Sequence, residues 1–247
     1  MGTVTGRVLV VSPGIQYLKK TSRDIFIPQD GYKFIYADFS QFEPGIIASF
    51  SEDEEFLKIY NSGDIYTELG KLLFPDQEDN TRKLAKVIFL SFIYGMSKER
   101  LIDIIGKVAN HDVQENVITF FKQFNRLVQW KDEVCQHALE KGFSESYKGN
   151  KRYLLNKDKL SNKEKRWIPN QIVQGTSSYI LKKSILSFHY KYPEALILIP
   201  MHDAVLIEVQ ESESEAIKSD VFYIFCDEFS RVCPNIKTNI DFEAFYE

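Results

Sequence analysis

The chain has 247 residues and a mass of 28.8 kDa, enough for one large domain or two small ones with a proper core. A composition of 44% hydrophobic and 27% charged residues excludes general disorder, and three cysteines without paired spacing (Cys135, Cys226, Cys233) exclude a disulfide scaffold and a cysteine zinc site. The net charge of −4 is unlike the basic footprint of most nucleic-acid binders, but eight Lys and Arg against two acids give +6 between Lys148 and Arg166.

Residues 1–33 carry Pro13, Gly14, Pro28 and Gly31 without a helical period, and read as extended chain and turns. Phe34 to Phe39 reads as a short apolar strand with Asp38 at its end. Helical patterns follow at about 53–60 and 64–74, stopped by Pro75. Asp79-Asn80-Thr81 is suited to cap a long helix that runs to Tyr94 and ends at Gly95. Ser97 starts a further short helix through Ile105, and residues 111–140 read as one helix closed by Gly142. Residues 144–155 alternate around Gly149-Asn150, a hairpin signal. A helix over 163–190 is expected to kink at Pro169. Leu196 to Val209 reads as two strands around Pro200-Met201-His202-Asp203, followed by a helix at 212–230 and a strand at 236–242. Strands, an inserted helical block, then strands and a helix make an α+β fold whose sheet is assembled from distant segments.

Two features carry chemistry. Asp38 ends a strand and Asp203 sits in a tight turn, both ordinary places for aspartate. On adjacent strands, however, two such carboxylates can hold two Mg²⁺ ions about 4 Å apart, a spacing suited to phosphoryl transfer. In the segment TRKLAKVIFLSFIYG, Arg82, Lys86, Leu90 and Tyr94 recur every four residues and share one helix face. That face offers two cations for phosphates and then an apolar surface for a base. The ordinary alternative is an amphipathic surface helix with solvated charges.

At this point the motifs resemble a known family. YADFSQFEPG resembles motif A of the family A (DNA polymerase I type) DNA polymerases, TRKLAKVIFLSFIYGMS their motif B, and MHDAVLIEV their motif C. Thr3 to Arg7 is similar to the T-x-T-G-R segment before the palm. Arg166, Asn170 and Gln174-Gly175-Thr176 resemble the R-x-x-x-N-x-x-x-Q-G-T helix. All five occur in family order and cover nearly the whole chain.

The resemblance implies an antiparallel palm sheet with an inserted helical fingers subdomain: palm at 1–50 and 166–247, fingers at 51–165, with the motif B helix at about 80–95. It implies a template-directed DNA polymerase using two Mg²⁺ ions held by Asp38, Asp203 and the Phe39 carbonyl. Arg82 and Lys86 would bind the triphosphate, with Lys86 donating a proton to pyrophosphate. Leu90 and Tyr94 would lie against the nucleotide and templating base. Glu43, supported by Gln41, would crowd the sugar C2′. Arg7, Arg166, Asn170, Gln174 and His202 would contact primer–template DNA. The sequence departs from the motifs at Ala204, where motif C has glutamate, at Leu90, where Phe or Tyr is usual, and at Gly45, where motif A has arginine. The family's thumb and 3′–5′ exonuclease precede the T-x-T-G-R segment, so palm and fingers alone are expected, as a fragment, split-gene half or reduced polymerase, with dNTPs, primer–template DNA and a separate thumb- or exonuclease-bearing chain as partners. No apolar run or leader points to a membrane, and a cytoplasmic place in a bacterium, or phage or plasmid coding, is expected. The alternative is a polymerase-like module that binds primer–template or nucleotide with little or no synthesis.

Overall fold

The computed structural model describes residues 3–12, 14–75, 81–95, 100, 103, 111–156 and 158–246. The chain divides into two compact units, one of residues 1–43 and 174–247 and the other of 44–173.

The first unit is built on a four-stranded antiparallel sheet of β1 (Tyr32–Phe39), β4 (Leu196–Pro200), β5 (Ala204–Gln210) and β6 (Ile240–Glu243), in the order β4-β5-β1-β6. Alternation along β1 sends Phe34, Tyr36 and Asp38 to one face and Ile35, Ala37 and Phe39 to the other. On the first face Tyr36 joins Ile199, Met201, Ala204, Leu206 and Phe245 in an apolar cluster, over which Ile15, Phe26 and Phe34 pack. On the second face Phe39 stacks on Phe42 with centroids 4.1 Å apart, and on Phe225 of helix α8 (Ser214–Ser230) at 5.4 Å. The strand expected from 236 begins only at Ile240, because its partner β1 ends at Phe39, which pairs with Ile240.

The second unit is mainly helical: α2 (Glu54–Asn61), α3 (Ile65–Leu73), α4 (Thr81–Ile93), α5 (His111–Gln123) and α6 (Asn125–Lys141), with a small ribbon of β2 (Phe143–Glu145) and β3 (Lys151–Tyr153). Its core is aromatic. Phe56 packs on Phe89 at 5.3 Å and on Phe124 at 5.6 Å, with Phe120 and Tyr66 at the margins. Each such ring is worth about 3–5 kcal/mol against alanine, so much of the large Phe share fills cores.

Two helices run from one unit into the other. The first, α1 (Phe42–Ser51), is absent from the sequence reading, which places the first helical pattern at about 53. Pro44 lies in the first turn, where a missing N–H costs nothing. The second, α7 (Asn162–Lys191), continues through Pro169. Proline leaves the Lys165 carbonyl without its helical donor, and the Cys135 thiol donates to that oxygen at 3.7 Å. Ser161 and Glu164 start α7 with reciprocal bonds: the Ser161 hydroxyl accepts from the Glu164 N–H, and the Glu164 carboxylate accepts from the Ser161 N–H at 2.9 Å.

The single helix expected over 111–140 is two. The chain breaks at Phe124, whose φ of −87° and ψ of 56° are not helical, and whose ring is buried in the core. Asp53 then caps two helices at once. Its Oδ1 accepts from the Phe56 N–H at the start of α2, and its Oδ2 from the Leu127 N–H at the start of α6, both at 3.0 Å. The short helix expected between Ser97 and Ile105 lies almost wholly outside the described residues.

Candidate active site

The β4–β5 hairpin closes through a bond from the Met201 N–H to the Ala204 carbonyl at 2.7 Å, leaving His202 and Asp203 exposed at its tip. The Phe39 N–H donates to the Asp203 carbonyl at 3.0 Å, which ties the hairpin tip to the end of β1. Asp38 pairs with Ala204 across β5 and with Asp241 across β6. The strand ends thus gather Asp38, Phe39, His202 and Asp203 at one corner of the sheet.

Asp38 is held there against its own charge. Burial, followed by the carboxylates of Asp203, Glu243 and Asp241, pushes its proton affinity far above the usual carboxylate range, to about 7, with Lys20 opposing. The Tyr36 hydroxyl, two residues back on the same face, is pushed up to about 12 by burial and then by Asp38 and Asp203, with Arg23 opposing. Asp38 Oδ1 is buried without a hydrogen-bond partner. A buried carboxylate oxygen with no protein donor, close to a second carboxylate, has the chemistry to bind a cation. Hard oxygen donors fit Mg²⁺, which is usually bound by one or two carboxylates and keeps several waters. Among the described residues no three His, Cys, Asp or Glu side chains converge to hold one ion.

Near the same strand end, Gln41 has a φ of 49° and Glu43 lies in the first turn of α1. Glu43 forms an ion pair with Arg7, both largely buried. Arg7 is the last residue of a tight turn in which its N–H donates to the Thr3 hydroxyl at 3.1 Å. The Gly6 carbonyl in that turn accepts from Ser178 at 2.7 Å and from Lys182, which anchors the turn to α7.

In the second unit, α4 presents Arg82, Lys86 and Leu90 along one face, and Tyr94, just past its end, keeps the spacing with its N–H donating to the Leu90 carbonyl at 2.8 Å. Arg82 is engaged by Asp64, with Nε to Oδ2 at 2.6 Å and Nη2 to Oδ1 at 3.3 Å. Burial would raise the Asp64 carboxyl, but Arg82 and Thr67 outweigh it and hold it below the usual range. The Tyr66 ring faces both cations, with Arg82 at 5.7 Å and Lys86 Nζ at 5.4 Å. Further along, Leu90, Tyr94, Val87, Gly95 and Arg166 line an open cleft of about 690 Å³. Gly95 ends the helix with φ at 77°, and a Cβ there would meet Arg166 Cγ at 2.7 Å, so two independent constraints require glycine. Lys131 of α6 donates to the Phe92 carbonyl at 3.0 Å and covers the Phe92 ring, holding the end of α4.

Arg166, Asn170 and Gln174 recur every four residues on α7; Arg166 joins the Tyr94 cleft, and Asn170 Oδ1 is buried without a bond. Asp64, Tyr66, Lys131 and Asp241 escaped the sequence reading. For Asp241 a signal existed: Ile-Asp-Phe-Glu alternates, so both acids of the last strand share a face.

The model of DNA polymerase family A matches residues 1–242. DNA polymerase I of Borreliella burgdorferi is 29% identical over 235 residues, covering 87% of this chain and 26% of that protein. DNA polymerase I of Aquifex aeolicus is 29% identical over 232 residues, covering 88% of this chain and 39% of that protein. The chain thus spans between a quarter and two fifths of these relatives. The POL domain of Pol1 from M. smegmatis, solved with DNA primer-template and dNTP, shares the fold with a TM-score of 0.82 at 22% identity, covering 97% of this chain and 45% of that one. With five motifs in order and a family match over nearly its whole length, the chain belongs to DNA polymerase family A.

Proposed function

We propose that the chain is the palm-and-fingers core of a template-directed DNA polymerase, transferring nucleotides from dNTPs to a primer 3′-hydroxyl. The observation that carries this reading is the corner of the sheet, where Asp38 Oδ1 is buried and unpartnered beside Asp203. In this reading the sheet unit is the palm and the helical unit the fingers.

Asp38 and Asp203, with the Phe39 carbonyl, would hold two Mg²⁺ ions. Bound there, the ions supply Lewis-acid stabilisation of the charge that develops during phosphoryl transfer. Arg82 exchanges Asp64 for the triphosphate, and Lys86 Nζ binds beside it and hands a proton to the leaving pyrophosphate. Leu90 and Tyr94 give the base a flat apolar surface. Glu43, fixed by Arg7 and backed by Gln41, takes the space that a 2′-hydroxyl needs. Arg166, Asn170, Gln174 and His202 orient primer–template DNA. A net charge of −4 is compatible with this work, because only the cleft needs positive charge. A thumb- or exonuclease-bearing partner chain belongs to this reading, and the setting is the cytoplasm. Among the described residues no helix is long and apolar enough to cross a membrane.

Primer extension with Mg²⁺ tests the proposal. Incorporation by the wild type, lost in Asp38→Asn and Asp203→Asn while DNA binding is kept, is the expected result. DNA binding without incorporation, even when a thumb-bearing partner is supplied, would instead establish the binding module.

A further inference from the structure

Because β1 lies between β5 and β6, Asp38 has a cross-strand neighbour on each side. Directly opposed residues in an antiparallel pair project to the same face, with Cβ atoms about 4.5–5.5 Å apart. On the β5 side that neighbour is Ala204, and on the β6 side it is Asp241. Ala204 is wholly buried in the cluster with Tyr36, Met201 and Leu206, so it supplies a methyl group and an apolar wall. Asp241 is half-buried and supplies a carboxylate. The Asn239 amide donates to its Oδ1 at 3.0 Å, which fixes the side chain by one oxygen. Glu243, on the same face two residues on, is paired with Lys20. The row across the sheet therefore reads apolar, Asp38, acidic.

Taking Asp38 and Asp203 as the metal-holding pair proposed above, we propose that Asp241 is a positioning residue for the divalent ion, acting from the β6 side where Ala204 cannot act from the β5 side. Too few side chains converge among the described residues for a third direct ligand. Asp241 acts across water instead, accepting hydrogen bonds from the hydration shell that Mg²⁺ retains and adding negative charge that draws the ion in. Partners of this outer kind change metal affinity by about 10- to 100-fold when removed.

Binding of Mn²⁺ to the whole chain without DNA, followed by the electron paramagnetic resonance signal of the free ion, reads the site without turnover. Asp241→Asn keeps the shape and removes the charge; Asp241→Glu keeps the charge. The expected result is a Kd about tenfold higher for Asp241→Asn and within about threefold of wild type for Asp241→Glu, with the Mg²⁺ needed for half-maximal incorporation moving in parallel. Without metal, Asp241→Asn melts no lower than wild type, since one of several like charges has gone. Asp38→Asn abolishes binding. An unchanged Kd in Asp241→Asn, or an equal loss in Asp241→Glu, overturns the role of Asp241 while the loss in Asp38→Asn still supports the metal pair. Unchanged binding in Asp38→Asn overturns the pair itself.

Discussion

Replacing Asp38 by asparagine should make the metal-free protein more stable while removing the proposed nucleotide incorporation. The carboxyl sits partly buried among Asp203, Glu243 and Asp241, and its proton affinity in the fold lies near 7, against 3.8 for an ordinary aspartate. Each tenfold change in proton affinity is worth about 1.4 kcal/mol, so the ceiling on the cost of ionising Asp38 in the fold is about 4 kcal/mol. Asp38 retains some exposure, and an asparagine oxygen would still lack a bond at the Oδ1 position, which brings the expected gain to about 1–3 kcal/mol. For a chain of this length that is a rise in Tm of roughly 3–8 °C at pH 8. The direction with pH follows from the raised affinity. The folded state prefers the protonated acid, so the penalty is full above about pH 7, shrinks as pH falls, and is absent below about pH 4, where the unfolded acid is protonated as well. Melting curves of wild type and Asp38→Asn at pH 4, 6 and 8, with chelator present, measure it. Added Mg²⁺ should raise the wild type and leave the variant unmoved. A variant that melts at or below the wild type at pH 8 would show that Asp38 is not held against its charge.

Substitutions at three further positions follow from particular contacts. Glu43→Gln, which keeps a hydrogen-bonding partner for Arg7, is expected to leave exclusion of ribonucleotides largely intact, whereas Glu43→Ala should lower the deoxy-to-ribo preference about tenfold or more; steady-state incorporation of each nucleotide decides, and an unchanged ratio in the alanine variant removes Glu43 from the gate. Ala204→Glu places a carboxylate inside the Tyr36, Met201 and Leu206 cluster and should cost about 2–4 kcal/mol in urea denaturation; an unaltered midpoint would contradict the burial. Glu164→Gln weakens the reciprocal cap of α7 by about 1 kcal/mol near neutral pH. The bonds from Ser161 and Leu155 hold the Glu164 carboxyl below its usual range, so its contribution is present above the unfolded value and fades as acid protonates the folded form. A wild-type advantage that persists unchanged at pH 2–3 would refute that assignment.

What the sequence discloses and what it hides divide along physical lines. Asp38 and Asp203 are legible because a strand end and a tight turn are local features, and the α4 face because a four-residue period is local too. Gly95 is legible as a helix end from its neighbours, but its clash with Arg166 is not, since that residue lies 71 positions along the chain. Helix α1 is hidden by Pro44 and Gly45, whose cost depends on which turn they occupy. The break at Phe124 is hidden because nothing local marks it; the cap of α6 comes from Asp53. The engagement of Arg82 by Asp64 is likewise tertiary, as is the neighbourhood of Asp38 and Asp241, which depends on the register of β6.

The double duty of Asp53 makes the helical unit cooperative in a testable way. The Phe56 and Leu127 amides lean on the two oxygens of one carboxylate that is 2% exposed, although Leu127 is 74 residues from Asp53 in the chain. Fraying of either helix start leaves half of a buried anion unsatisfied, so α2 and α6 are penalised for opening alone. Hydrogen exchange should therefore find the two amides protected to the same depth and released in one opening event. It also follows that Asp53 contributes nothing until a long loop has closed, which places its stabilisation late in folding: its loss should quicken unfolding far more than it slows folding.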